Sequence, residues 1–284
     1  MRLRTQPRPS LKTAAELDKM RASNRLARRI LAAVGKQIAP GVTTRALDDL
    51  ARDMTAAAGA TGAFYHYQVG NRIFPAHLCT SVNEVVVHGI PDDRPLVEGD
   101  VVSVDYGCHL DGWVGDTAFT WCVGQPSNGT AHLMAVTQEA LKIGIAAALP
   151  GKRVWDVARA VQDYCESNGC GVVRSLVGHG VGRRLHEPPQ VPNFANPESR
   201  HDLLREGMTI CIEPMVTAGD WETEELADGW TIVTKDHSLS AQWEHTVLVT
   251  PTGFEVLTVS AGTPAPPAFV QPAGAATPAG ALIG

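Results

Sequence analysis

Glu98-Gly99-Asp100-Val101-Val102-Ser103-Val104-Asp105 and Glu206-Gly207-Met208-Thr209-Ile210-Cys211-Ile212-Glu213 are two versions of one pattern, 108 residues apart. Each opens on Glu-Gly, runs through mainly apolar residues and closes on an acid. Working outward, Pro40-Gly41, Leu47, Ala51 and Asp53 recur as Pro150-Gly151, Val157, Val161 and Asp163 at an offset of 110. A His-Gly-aliphatic step occurs in each half, as His88-Gly89-Ile90 and His179-Gly180-Val181. Each half then ends in an acid that opens a strand-like run, Asp116-Thr117-Ala118-Phe119 and Glu244-His245-Thr246-Val247. Four matches in one order read as one unit duplicated, each copy being helix, helix and β-ribbon. The expected fold is therefore α/β of the α+β kind, with a pseudo-two-fold relation between two similar halves. Their antiparallel sheets pair and are covered by four helices.

Local signals fill in the units. Thr13-Ala14-Ala15-Glu16 is a capping box. Leu17, Met20, Ala27, Leu31, Val34 and Ile38 follow at helical spacing until Pro40-Gly41. A second helix is expected from Thr44 to Gly59, with Leu47, Leu50, Ala51 and Met54 inward; a third over 131–148; and a fourth over 153–167, ending at Gly169. Val101–Asp105 alternates and is rich in valine, Asp111-Gly112 signals a turn, and Trp113–Val123 returns as a partner strand. Thr209–Glu213 and Glu244–Thr250 read as strands too. Beyond residue 260 the chain is Ala/Pro/Gly-rich and cannot bury enough apolar surface to offset its ordering entropy. The expected organisation is a flexible tail over 1–12, one domain over 13–260 and a disordered tail over 261–284.

Composition narrows the class. A hydrophobic share of 44% with 19% charged residues excludes wholesale disorder. No run approaches the ~20 apolar residues that span a bilayer, and the N-terminal arginines precede no apolar signal core. Six cysteines without a C-x-x-C pair read as free thiols in a reducing compartment, so a cytoplasmic protein is expected. Residues 1–29 carry nine Lys/Arg against Glu16 and Asp18, a net of +7 within a chain of −6, which leaves −13 on the remainder. An acidic body argues against DNA or other extended nucleic-acid binding. The basic segment reads as a solvated helix face, with weak ribosome contact through Arg21, Arg25, Arg28 and Arg29 as the functional alternative. With no long exposed apolar stripe, a monomer is the default.

The repeat places acids at matching points: Asp105 with Glu213, and Asp116 with Glu244. All four lie in otherwise apolar strands, where a carboxylate is costly unless paired or metal-bound. No Lys or Arg stands beside them. Two divalent ions would balance four carboxylates, and His179 adds one imidazole. Such an oxygen-rich set suits Mn, Fe(II) or Co, with Zn also admissible. Asp105 and Asp116 are expected on opposite arms of one hairpin, where cross-strand neighbours come within ~5.5 Å.

The motifs resemble the type I methionine aminopeptidases. They are Cys79-Thr-Ser-Val-Asn-Glu-Val-Val-Val-His88-Gly-Ile-Pro91, Asp105-Tyr-Gly107, Gly115-Asp116-Thr117, Gly178-His179-Gly-Val-Gly182, His186-Glu-Pro-Pro189, Ile212-Glu213-Pro214 and Ser240-Ala-Gln-Trp-Glu244-His-Thr246. The resemblance covers about residues 13–258. It implies the "pita-bread" fold and a metal-dependent hydrolase that removes the initiator methionine from nascent or peptide substrates, preferring a small second residue. It implies further that Asp105, Asp116, His179, Glu213 and Glu244 hold two metal ions, with Asp116 and Glu244 bridging. Glu213 would serve as general base, His186 would stabilise the tetrahedral intermediate, and His88 would contact the substrate near its amide nitrogen. Cys79 and Trp230 resemble pocket residues, as does Phe74 within Gly70-Asn71-Arg72-Ile73-Phe74-Pro75.

Three positions depart from the family's pattern. Asn71 replaces an aromatic, Ile73 a glycine, and Leu185 a phenylalanine, which bears on methionine selectivity. Two rival readings belong to the same fold: an X-Pro aminopeptidase or prolidase, and a silent binding module. The first usually carries a large extra N-terminal domain; the second typically loses metal ligands, and all five are present here.

Overall fold

A computed structural model describes residues 9–259 of the chain. Four helices occur where the periodicity places them: α1 over Ala14–Gly35, α2 over Thr44–Ala57, α3 over Asn128–Ala147 and α4 over Val154–Ser167. The Thr13 hydroxyl accepts from Glu16 N–H, and Glu16 Oε2 accepts from Thr13 N–H at 2.9 Å, which closes the capping box. Helix α1 stops short of Pro40 because Gln37 and Ile38 donate to Val34 and Gly35, a tighter i→i−3 pattern that ends the α-helix. Helix α3 begins three residues ahead of expectation, since the Ser127 hydroxyl accepts from Thr130 N–H at 3.1 Å and caps it there.

The duplication is visible in backbone hydrogen bonds. Gly41 and Gly151 take φ of 87° and 82°, a region that glycine enters without penalty. Gly41 N–H donates to Leu96 O at 2.8 Å, and Gly151 N–H to Leu204 O at 2.9 Å. Arg45 N–H then donates to Asp92 O, and Val154 N–H to Asp202 O, both at 2.9 Å. Each pair performs the same task in its half, tying the start of the second helix to the segment before the strand.

The first half centres on the hairpin of Val101–Leu110 and Trp113–Cys122, in register from Val101 opposite Cys122 to Leu110 opposite Trp113. Asp111 and Gly112 both have positive φ, 50° and 77°, as a two-residue hairpin turn with the right twist requires. Leu78–Val82 and Thr61–Gly62 pair with the free edge of Val101–Leu110. In the second half, Thr209–Ile212 pairs with His245–Val249 inside a five-stranded sheet, and Met215–Thr217 pairs with Ser240–Gln242. The register is common to both stretches and is interrupted at Glu213-Pro214. Proline lacks the N–H that would continue the ladder.

That interruption changes two expectations. Asp105 and Asp116 lie within strands, whereas Glu213 falls just after Thr209–Ile212 and Glu244 just before His245–Val249. Asp105 is opposite Ala118 and Asp116 is opposite Gly107, so the two aspartates are diagonal rather than direct neighbours.

The halves meet along a seam between the strand bearing Asp116 and the strand bearing Glu244. Glu244 N–H donates to Ala118 O at 2.8 Å. Threonine hydroxyls satisfy facing carbonyls: Thr117 to Glu244 O at 2.9 Å, Thr120 to Gln242 O at 2.7 Å and Thr246 to Asp116 O at 2.9 Å. All three threonines are fully buried, where an unpaired carbonyl would be costly.

Helix α1 covers the first hairpin at close range. A Cβ at Gly115 would lie 2.3 Å from Ser23 O and 2.7 Å from Asn24 N, both backbone atoms of the helix. Gly115→Ala is therefore expected at the upper end of the ~1–3 kcal/mol typical of overpacking, read as a lowered midpoint in thermal unfolding. The same contact brings Asn24 Oδ1 to the N–H of Asp116 at 3.4 Å.

Two features of the N-terminal segment differ from expectation. Ser10 and Lys12 are held against the body rather than free: both reach Glu187 Oε2, at 2.7 and 3.2 Å, and Lys12 N–H donates to Gly207 O. Arg28 is 1% exposed, with its guanidinium 4.2 Å from the Phe119 ring centroid. Arg21 is committed to Glu255 and Asp18. Of the four arginines considered for an anionic partner, Arg25 and Arg29 are exposed. The tail expected over 261–284 lies outside the described residues. Among the described residues, no helix is long and apolar enough to cross a membrane.

Candidate metal centre and substrate pocket

The seam brings the four acids together from two hairpins. Asp105, Asp116, Glu213 and Glu244 all line one cavity of about 230 Å³, together with His88, His179 and His186. Asp116 and Glu244 are each 2% exposed. One buried oxygen of every acid lacks a partner: Asp105 Oδ1, Asp116 Oδ1, Glu213 Oε1 and Glu244 Oε1. Burial pushes all four carboxyls above their ordinary range, and the acids raise one another further: Asp116 acts on Asp105, and both aspartates act on Glu213 and Glu244. Among the described residues, no Lys or Arg lines the cavity.

His179 completes the cluster. Its Nδ1–H donates to Gly180 O at 3.0 Å, which leaves Nε2 as a lone pair. Nε2 lies 3.5 Å from Glu213 Oε1 and 3.7 Å from Asp116 Oδ2. Burial, with His186 as a second cause, lowers its pKa to about 3, so the ring is neutral. The imidazole lone pair and the orphaned carboxyl oxygens converge on one space. A cation between them satisfies every one of these groups, so the donor set fits a divalent metal.

Two further histidines stand beside the cluster. The His186 ring is edge-on to His179 with centroids 4.3 Å apart, and burial depresses its pKa. His88 sits at φ 59°, a backbone region that non-glycine residues seldom occupy. The following Gly89 explains the sharp path, because a Cβ there would lie 2.3 Å from Thr80 O. Burial lowers the His88 pKa to about 4.

The cavity wall away from the acids is aromatic and apolar. Phe74 and Trp230 meet edge to face with centroids 5.3 Å apart, and Phe64, Tyr67, Leu185 and Met215 extend the wall. Cys79 lines it as a buried thiol whose pKa is pushed well up by burial and then by Asp105, so it is protonated and inert. Arg72 clasps the Trp230 loop through Glu225 and Gly229 O. Asn71 and Ile73 are exposed and do not line the cavity, whereas Leu185 does.

Three site residues escaped the sequence reading. Cys211 offers its sulfur within 4.8 Å of ligand atoms of Asp116, His179 and Glu244. Gln242 Nε2 reaches Glu213 Oε2 at 3.5 Å. Both stand two residues from an acid of the site, and strand alternation places positions i and i+2 on one face, so the signal was present. Tyr67 hydrogen-bonds His186; its one hint was the run Phe64-Tyr65-His66-Tyr67 in a chain only 6% aromatic.

Two hairpins joined back to back, with an acid-and-imidazole cluster at their seam, define a metal-dependent hydrolase architecture. The sequence matches metallopeptidase family M24 over residues 18–251, and the chain belongs to that family. It is 42% identical over 251 residues to methionine aminopeptidase A of Synechocystis sp., covering 88% of this chain and 97% of that one. The crystal structure of methionine aminopeptidase from Rickettsia prowazekii superposes with a TM-score of 0.85 at 40% identity, covering 89% of this chain and all of that one. The pita-bread fold is thereby established. The prolidase from Pyrococcus furiosus shares the fold at a TM-score of 0.68 and 22% identity, and this chain covers 65% of it.

Proposed function

We propose that the protein is a methionine aminopeptidase that removes an N-terminal methionine preceding a small residue, with residues 13–260 as its catalytic domain. One observation carries the reading: the acid-and-imidazole cluster lies in a 230 Å³ cavity walled by Phe74, Trp230, Met215 and Cys79. Such a space suits one unbranched apolar side chain beside the reacting atoms. Sulfur–aromatic contacts favour methionine there.

Asp105, Asp116, His179, Glu213 and Glu244 would hold two divalent ions. Mn, Fe(II) and Co are the candidates for this oxygen-rich set, with Zn also able to occupy it. Bound there, the ions would acidify water and offer positive charge to the peptide carbonyl. Glu213 takes the proton from the attacking water and delivers it to the departing amide nitrogen. His186 hydrogen-bonds the carbonyl oxygen as it gains charge. His88 contacts the substrate near its amide nitrogen. Phe74, Cys79 and Trp230 line the methionine side-chain pocket. The enzyme is read as a cytoplasmic monomer acting on peptide N-termini, with any weak ribosome contact falling to the exposed Arg25 and Arg29.

The test is hydrolysis by the Mn-loaded protein of Met-Ala-Ser against Ala-Pro-Ala, with and without chelator. Chelator-sensitive release of methionine alone is expected. Cleavage of only the proline peptide would move the protein to the X-Pro hydrolases, and no cleavage with Mn, Co or Fe(II) would favour a silent module.

A further inference from the structure

The Tyr67 hydroxyl and His186 Nδ1 are 2.5 Å apart, between residues 119 positions apart in the chain. A phenol O–H is a far stronger donor than a neutral imidazole N–H, so the proton in this bond belongs to the tyrosine. His186 Nδ1 is then the acceptor, and the ring's own proton sits on Nε2. We infer that Tyr67 is a positioning residue for His186: it sets the tautomer that makes Nε2–H the donor toward the substrate carbonyl. The inference rests on the catalytic role proposed for His186 above and extends it to a residue that the motifs do not contain.

The surroundings of Tyr67 suit this task. Its N–H donates to Phe64 O at 2.8 Å, and its carbonyl accepts from Phe74 N–H at 2.9 Å, so the backbone is held on both sides. Its ring lies edge-on to His186, with centroids 5.2 Å apart at 75°, and lines the same cavity. The imidazole is thus fixed by an aromatic edge contact, a hydrogen bond at Nδ1 and the His179 ring on another side. Burial raises the Tyr67 pKa above its ordinary value, which keeps the hydroxyl protonated. His179 receives the opposite instruction. Its Nδ1–H donates to Gly180 O, which leaves Nε2 free as a lone pair. Two adjacent imidazoles are therefore held in opposite tautomers, one as a cation ligand and one as a hydrogen-bond donor.

The experiment combines a spectroscopic and a kinetic arm on the full chain. Nitrogen-15 NMR of histidine-labelled protein, metal-free and with Zn bound, should show His186 Nδ1 unprotonated and Nε2 protonated. Tyr67→Phe, which keeps the ring and loses one hydroxyl, should mix the tautomers. It should also lower kcat for Met-Ala-Ser about tenfold, with KM changed less than about twofold, since the bond matters as charge develops. In a His186→Ala background the same substitution should have no further effect, because Tyr67 acts only through that ring. Manganese affinity should be unchanged. A protonated Nδ1 in the wild-type protein would overturn the inference, as would an equal loss from Tyr67→Phe in both backgrounds. If the wild-type protein releases no methionine, the aminopeptidase reading fails, and the tautomer measurement still decides the role of Tyr67.

Discussion

Glu213→Gln is expected to lower the rate of methionine release by roughly 10²–10⁴-fold while leaving the protein folded, the range spanned by removal of a general base. The substitution is nearly isosteric, and Gln242, the side chain that faces Glu213, offers an amide compatible with either residue. The amide cannot take a proton from water and is a poorer cation ligand than the carboxylate. Stability of the metal-free protein should move the other way. Burial, then Asp105 and Asp116, raise the Glu213 pKa, and Glu213 in turn helps raise that of Glu244. Replacing it removes one of these mutually repelling groups, so the chelated variant should unfold at a higher temperature than the chelated wild type. Lost activity with a raised apoprotein midpoint separates a missing catalytic group from a damaged fold. Retained activity within about tenfold would remove Glu213 from the proposed role.

The second large effect couples pH, cation and stability. Groups whose pKa is raised by folding bind protons more tightly when folded, so stability falls as pH rises through the window between the two values. The four acids are raised, so this loss begins near the ordinary carboxylate value of about 4 and continues upward. The buried imidazoles oppose it at the acid end. His88, His179 and His245 are held near pKa 4, 3 and 3, so they favour the folded state increasingly until pH reaches about 6.5, where unfolded histidine loses its proton. Above that pH the histidines add no slope, while the raised acids still do. The unfolding midpoint of the chelated protein should therefore decline from pH 6.5 to 8. A saturating divalent cation should abolish that slope. At 100 times its dissociation constant it contributes about 2.7 kcal/mol, or roughly 5–10 °C for a chain of this size. A flat profile in chelator, or no rise with Mn, Co or Fe(II), would mean that the four acids do not form a cation site.

Much of the site follows from local composition because duplication constrains it. The octapeptides ending at Asp105 and Glu213 place acids equivalently, and each half repeats the Pro-Gly entry to its second helix. An acid in an apolar strand with no basic neighbour points to a cation whatever the exact packing. These signals depend on neighbours a few residues apart, which a linear pattern records. Arg28 marks the boundary of that logic. In sequence it belongs to a basic face, yet it is the residue that turns inward onto Phe119. Its neighbours Arg25 and Arg29 stay in solvent.

The duplicated α+β architecture, the four helices and the acids and histidines proposed for the metal centre were all legible in residue order. Periodicity, capping and repeat spacing are short-range properties, and they survive without coordinates. How the halves engage was not legible there and follows from long-range packing. The fold put Asp105 diagonal to Asp116 within their hairpin, broke the second ladder at Pro214, and sealed the seam between halves with the hydroxyls of Thr117, Thr120 and Thr246. It also brought Tyr67 to His186 and Cys211 to Asp116. Those contacts join segments about a hundred residues apart. They depend on strand register and on how closely α1 approaches Gly115, quantities that no local pattern encodes.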